Sequence, residues 1–247
     1  MSANPRSLAS RIVLAMLALA LFAMFAALGT WQVERRSWKL DLIAHVEQRL
    51  DAAAVVAPGR ARWPKLDREQ DEYRKLFVDG VFLDGHETLV QAVTAKGPGF
   101  WLMAPLRVAD GSIVLVNRGF VDAAHRDPAT RSAARSAATV RVTGLLRMSE
   151  PGGAFLHHND PDNGRWYSRD VAAIAAAQGL AGTKVAPYFI DADATPNPGG
   201  WPIGGLTVVR FHNSHFVYAV TWYVLALMTA CATFFVGRQE WRLRKRH

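Results

Sequence analysis

The chain has 247 residues, half of them apolar, with a formal charge of +8 and a single cysteine. Residues 1–33 carry two Arg and no acid, residues 34–210 carry 22 basic and 20 acidic side chains, and residues 211–247 carry five basic and one acidic, so the three stretches hold +2, +2 and +4. The middle is nearly neutral, which argues against a nucleic-acid partner, whose phosphates must be neutralised in number; the lone Cys231 excludes an intrachain disulfide and a cysteine-based metal centre.

After a short tail, residues 1–11, residues 12–33 carry no formal charge and follow Arg6 and Arg11. A cleaved secretory signal starts in the same way, and Ala27-Leu28-Gly29 offers small residues for cleavage. The apolar run exceeds the roughly 7 to 15 residues of a signal core, so an uncleaved transmembrane helix is expected. The helical pattern continues beyond the span, with Leu42, Ile43, Val46 and Leu50 on one stripe. The helix should therefore leave the membrane without a break and lie against the following domain until the Ala-rich stretch before Pro58 ends it.

Residues 34–210 read as short strands joined by turns. Residues 73–78 and 81–83 lead to Asp84-Gly85, and 87–93 lead to Gly97-Pro98-Gly99. Residues 100–108 and 112–116 flank Asp110-Gly111, a two-residue hairpin signal. Residues 131–138 form a soft loop before an alternating strand at 140–148. One helix, 171–178, has Asp170 as its cap and Gly179 at its end. Strands 185–190 and 206–211 then complete an antiparallel sheet, the last running straight into the second span. The expected fold class is an α+β membrane protein: two transmembrane helices flanking an extracytoplasmic antiparallel β domain with one or two helices.

Residues 211–237 have no Lys, Arg, Asp or Glu, enough for a helix of about 40 Å against a bilayer core of roughly 30 Å. The tail 238–247 holds Arg238, Arg242, Arg244, Lys245 and Arg246. The positive-inside bias puts both tails in the cytoplasm and the domain outside it, in the periplasm. At the entrance to this span lie His212 and His215, with Tyr218 and Trp222 three and seven residues beyond His215 and so on its helical face, and Thr221 reads as buried. A neutral imidazole beside aromatic walls is the equipment of a haem iron ligand. The alternatives are a histidine hydrogen-bonded within an interfacial aromatic belt, and His212 as the ligand in place of His215.

Other constellations carry less. His157-His158-Asn159-Asp160-Pro161-Asp162 gathers metal-binding types, but neighbouring strand residues point to opposite faces and the run has turn chemistry. His125-Arg126-Asp127 imitates a kinase triplet without a phosphate loop. No nucleophile motif is present, and catalysis is not expected.

Several of these segments resemble the surfeit locus protein family, membrane assembly factors for haem–copper cytochrome c oxidase. The similar pieces are Gly29-Thr30-Trp31-Gln32-Val33-Glu34-Arg35-Arg36-Ser37-Trp38-Lys39, Glu72-Tyr73-Arg74, Asn117-Arg118-Gly119-Phe120-Val121, Gly144-Leu145-Leu146-Arg147, Arg165-Trp166-Tyr167-Ser168-Arg169-Asp170, Gly204-Gly205, and residues 212–223. Ser214 stands where the family usually has a second Asn, and Phe120 where Trp is common. The resemblance implies a protein of the bacterial inner membrane that binds haem a transiently and aids its insertion into oxidase subunit I. It makes His215 the candidate ligand of the haem iron, with His212 beside it. Tyr218 and Trp222 would wall the macrocycle, and Arg210 or Arg35 would meet the propionates. Partners would be subunit I, haem a synthase or other oxidase assembly factors, and the lipid bilayer. Gly29, Trp31, Gln32, Arg35, Lys39, Tyr73, Asn117, Arg118, Gly119, Trp166 and Tyr167 would be structural or partner-binding motif positions. The alternative is a scaffold without cofactor that stabilises an oxidase assembly intermediate through the surface around Trp166, Tyr167 and Asn117-Arg118.

Overall fold

A computed structural model of the chain describes residues 7–131, 138–154, 156–180, 184–207 and 213–245. The chain divides into two units, Met1–His45 with Arg210–His247, and Val46–Val209.

The first unit is built from two long helices, α1 (Leu8–Asp51) and α4 (His215–Arg244). Both are long and apolar enough to cross a membrane. Residues 8–51 hold no proline and are rich in Leu, Ala and Met, so nothing interrupts the hydrogen-bond ladder of α1 where the apolar run gives way to charge. The two helices approach on matching stripes. Gly29 of α1 lies so close to Tyr223 that a Cβ there would sit 2.9 Å from the ring. Opposite it, α4 presents the small residues Ala219 and Ala226, both buried. The hydroxyl of Thr30 donates to the Ala26 carbonyl at 3.0 Å, so the Tyr223 hydroxyl, 3.1 Å away, donates to Thr30. Thr221, expected to be buried, is exposed, and its hydroxyl bonds back to the Val217 carbonyl within its own helix.

In the second unit the end of α1 meets the domain as expected: Val46 is buried, and Arg49 donates to the Glu72 carbonyl at 3.2 Å. The strands are β1 (Val55–Val56), β2 (Lys75–Phe82), β3 (Thr88–Thr94), β4 (Gly97–Val108), β5 (Ile113–Val121), β6 (Val140–Met148) and β7 (Val185–Ala192). The short helix α2 (Arg68–Asp71) precedes β2, and α3 (Val171–Ala177) precedes β7. Asp170 caps α3 by accepting from the Ala173 N–H at 3.1 Å, as its position in the sequence suggests. Sheet order is β1-β2-β6-β7-β5-β4-β3, and β2 also pairs with β4. That pairing closes β2, β6, β7, β5 and β4 into a five-stranded barrel, with β1 and β3 extending its sides.

The interior follows the period of two. Leu76 and Val78, Leu106, Val114 and Val116, Val142 and Leu146, and Ala186, Tyr188 and Ile190 form one buried cluster. On the outside of β5 and β7, α3 buries Val171 and Ile174 with Leu115, Phe189, Met103 and Trp166. β5 is thus covered on both faces, and its side chains lose the alternation that marks a half-exposed strand.

The sheet corrects the antiparallel reading in two places. β1 runs parallel to β2, and β7 runs parallel to β5, into which it inserts beside β6. Alternation reports faces, not neighbours, so the order of strands is invisible to it. Between Ile113 and Leu115 the register of β7 slips, and the exposed Pro187, which has no N–H to offer, lies in that irregularity. Residues 206–207 belong to no strand, and the rest of the expected last strand, 208–211, lies outside the described residues. Arg131, expected in a soft loop, is buried and bonded to Glu87 and to the carbonyls of His125 and Arg126.

Gly119 is where the chain needs glycine most. Its φ is 134°, and a Cβ would stand 2.2 Å from the Ile203 carbonyl oxygen, beside the paired backbone bonds of Phe120 and Ile203. Gly119→Ala is expected to cost about 1–3 kcal/mol, read as a lowered midpoint in thermal unfolding of the detergent-purified chain. An unchanged midpoint would show that the strand end relaxes freely.

Candidate functional site

The residues singled out by sequence fall into two groups, one in each unit. In the helical unit, Asn213 lies two residues before the first residue of α4, and its side-chain oxygen accepts from the His215 N–H at 3.4 Å. His215 then points its Nδ1 at Gln32 Oε1 of α1, 2.7 Å away. Gln32 is only 9 % exposed, a polar side chain held between the two helices. Two turns deeper, Trp222 stacks on Phe25 with ring centroids 5.8 Å apart. His215 and Trp222 therefore both face α1, while Tyr218 and Phe216 are exposed on opposite flanks of α4. Further along α1, Arg35 lies over the Trp38 ring at 4.0 Å and Arg36 over Phe216 at 5.5 Å. Trp31 is exposed and Lys39 half-buried. His212 and Arg210 lie outside the described residues.

An amide oxygen only accepts, so the neutral His215 ring carries its proton on Nδ1 and its lone pair on Nε2. Among the described residues Nε2 has no hydrogen-bond partner. An imidazole with one nitrogen tethered and the other open is how proteins prepare a histidine for a metal. The residues present thus fit a haem: one oriented nitrogen ligand, exposed rings beside it and cations on the neighbouring helix.

In the barrel unit the motif residues converge on a buried ionic network. Asp191, near the end of β7 and 2 % exposed, accepts from Asn117 at 2.7 Å, Arg147 at 2.9 Å and Arg169 at 3.0 Å. Asn117 also uses its oxygen to hold the Gly119 N–H at 3.1 Å. Arg169 forks onto both oxygens of Glu150, at 2.6 and 3.0 Å, and Arg147 reaches Glu72 at 3.3 Å and Glu150 at 3.4 Å. Every guanidinium nitrogen of these two arginines donates to a carboxylate. Their flat faces lie on rings, Arg147 on Tyr73 at 5.0 Å and Arg169 on Phe189 at 4.7 Å. Tyr73 itself takes a positive φ of 65°. Burial alone would push the Glu150 carboxyl up, but the Arg169 hydrogen bond and charge, with the charge of Arg147, outweigh it and hold it below the usual range.

Arg118 stands apart from that network. It lies over Phe82 at 4.7 Å, donates to Asn197 at 3.2 Å and faces Glu87 at 3.7 Å. Burial pushes its guanidinium down, with Glu87 opposing. Trp166 is buried, its backbone bonded to Gln91 of β3, and Tyr167 stacks on His157 at 4.8 Å. His158 bonds the Gly152 carbonyl at 3.3 Å and Asn159 caps the backbone of Tyr167 and Ser168, so the His157–Asp162 segment is turn structure. Among the described residues no group of three His, Cys, Asp or Glu could hold a metal ion.

Sequence reasoning overlooked Asp191, Glu150, Glu72, Arg147 and Arg169 as a set. Glu72, Arg147 and Arg169 stand in motif segments, and Asp191 is an acid closing a run of apolar strand residues. That last feature was the available signal, since an acid in such a place needs buried partners.

The sequence profile of the SURF1 family matches residues 19–227. A SURF1-like protein of Monosiga brevicollis is 35 % identical over 226 residues, covering 86 % of this chain and 83 % of the relative. Surfeit locus protein 1 of Rattus norvegicus is 35 % identical over 219 residues, 82 % of this chain and 69 % of the relative, and that of Homo sapiens is 34 % identical over 220 residues, 82 % and 70 %. The match runs through both helices and the barrel, and the chain belongs to the SURF1 family.

Proposed function

We propose that this protein is an assembly factor for haem–copper cytochrome c oxidase, which binds haem a through His215 and aids its insertion into subunit I. In this reading both helices cross the bacterial inner membrane, the barrel is periplasmic and both termini are cytoplasmic. The basic residues Arg11, Arg238, Arg242 and Lys245 at the terminal ends of α1 and α4 support that orientation. Haem a synthase or other assembly factors would deliver the cofactor and subunit I would receive it.

The observation that carries the reading is the 2.7 Å contact between His215 Nδ1 and Gln32 Oε1. It orients the ring and leaves Nε2 open, which is what a metal-binding histidine needs. Tyr218 and Trp222 offer aromatic surface along the two turns of α4 that follow His215, and Arg35, with Arg36, offers charge-assisted hydrogen bonds to carboxylates. When bound, haem a supplies the iron and macrocycle that the oxidase will use. A carrier must release its cargo, and one histidine with an open second position suits that better than two strong ligands.

Asn117, Gly119 and Trp166 are engaged inside the domain, so they build it rather than present a face to a partner. The test is the visible spectrum of detergent-purified protein from cells that make haem a, wild type beside His215→Ala. A Soret band present in the first and absent from the second is expected. No haem in either, with oxidase assembly still dependent on the protein, would establish the scaffold instead.

A further inference from the structure

Where α1 and α4 meet at Phe25 and Trp222, Gly29 and Tyr223, and Gln32 and His215, they are in contact; toward the chain termini a groove opens between them. It has a volume of about 650 Å³ and is walled by Leu14, Leu17, Leu21, Ala18, Ala232 and Val236, with Arg11 and Glu240 at its end. From Arg11 to Leu21 the groove runs ten residues, about 15 Å of helix, which is half of the roughly 30 Å hydrocarbon core. Its other wall, Thr229 to Glu240, has the same reach.

That length selects the occupant. A transmembrane helix from a partner would need a groove running the full thickness, and here the upper half is closed by helix contact. An acyl chain belonging to one leaflet fits the lower half. The polar end selects the headgroup. Arg11 Nη1 is shielded from solvent and has no hydrogen-bond partner among the described residues. Glu240 shares the mouth but has interactions of its own. Arg238, Arg242 and Lys245 lie at the same end of α4, so cations outnumber the one acid there. Trp241 is 58 % exposed with the Lys245 ammonium 3.9 Å from its ring, an arrangement suited to the headgroup level.

We infer that this groove is a binding site for one anionic glycerophospholipid of the leaflet on the side of the termini, its acyl chain between α1 and α4 and its phosphate on Arg11. The inference rests on the reading that both helices span a bilayer, and not on the haem assignment.

The experiment is native mass spectrometry of the full chain, delipidated in detergent and offered phosphatidylglycerol, phosphatidylcholine or inorganic phosphate. One phosphatidylglycerol per chain is expected, held in preference to phosphatidylcholine and not displaced by phosphate. Arg11→Gln should reduce that preference about fivefold, the worth of one basic residue at a membrane surface. Ala18→Trp, which fills the groove without changing charge, should abolish retention of either lipid while far-ultraviolet circular dichroism stays that of the wild type. Equal retention of both lipids, an unchanged preference in Arg11→Gln, displacement by phosphate, or a doubled mass without lipid would each overturn the inference. Carbonate extraction of the membranes separates the two levels: release of the chain defeats the spanning reading itself, whereas a retained chain without lipid preference defeats only the site.

Discussion

Asp191→Ala is expected to destabilise the barrel by about 3–5 kcal/mol, the range for removing one partner from a buried charge pair. For a unit of this size that lowers the thermal midpoint by roughly 10 °C. The reason lies in the number of groups that share one carboxylate. Arg147 and Arg169, each 12 % exposed, both donate to Asp191, and so does Asn117. Without it two guanidinium groups must share Glu150 and Glu72, and Glu72 is also held by Arg68 at 2.9 Å. Asp191→Asn keeps an acceptor for Asn117 and should cost less. Adding Arg169→Met to Asp191→Ala should cost less than the sum of the single changes, because the second removes a cation that the first leaves unpaired. Additive costs would show that the network is not energetically shared.

The same network sets an acid limit. The Glu150 carboxyl is held below its ordinary value of 4.5 by Arg169 and Arg147. The unfolded chain therefore takes up the proton first, and the stabilisation is complete above pH 4.5 and is lost as pH falls through the native value. Thermal midpoints of the wild type should fall on acidification below that point, and the part due to Glu150 should be missing from Glu150→Gln. A midpoint that drops identically in the variant would assign the acid limit to other carboxylates.

The second large effect is expected at Gln32. On the haem-carrier reading, Gln32→Leu should weaken haem a binding about 10- to 100-fold, the usual consequence of removing the group that orients a metal-binding histidine. The variant leaves His215 in place, so residual binding separates it from His215→Ala. Gln32→Glu restores an acceptor for Nδ1 and should recover most of the affinity, with a reduction potential below that of the wild type because a carboxylate makes the imidazole a stronger donor. Full affinity in Gln32→Leu would mean that the 2.7 Å contact only joins the two helices.

Much of the architecture was legible in the chain. The two charge-free runs announced their helices, and the absence of proline let α1 pass through the end of the first run without a break. The strand 140–148 appeared where its alternation placed it, because β6 has one face on the barrel core and one on solvent. Asp170 and Gly179 bounded α3 through local hydrogen bonds that need no distant partner. Motif order also placed His215 at the start of the second long helix. What alternation missed is β5 beyond Val116: with α3 on its outer face and the barrel inside, the strand has no polar side to reveal it.

By itself the sequence determined whatever depends on neighbours along the chain: helix length, strand periodicity, caps, turns, and the charge of the tails. The tertiary structure alone decided which strands lie side by side, because a buried face accepts any apolar partner of the right register. It decided that β2 meets β4 and closes a barrel, and that β7 runs parallel to β5. It joined Gln32 to His215 across 183 positions, and Asn117, Arg147 and Arg169 to Asp191, since a buried polar group must be satisfied by whatever the fold brings within about 3 Å.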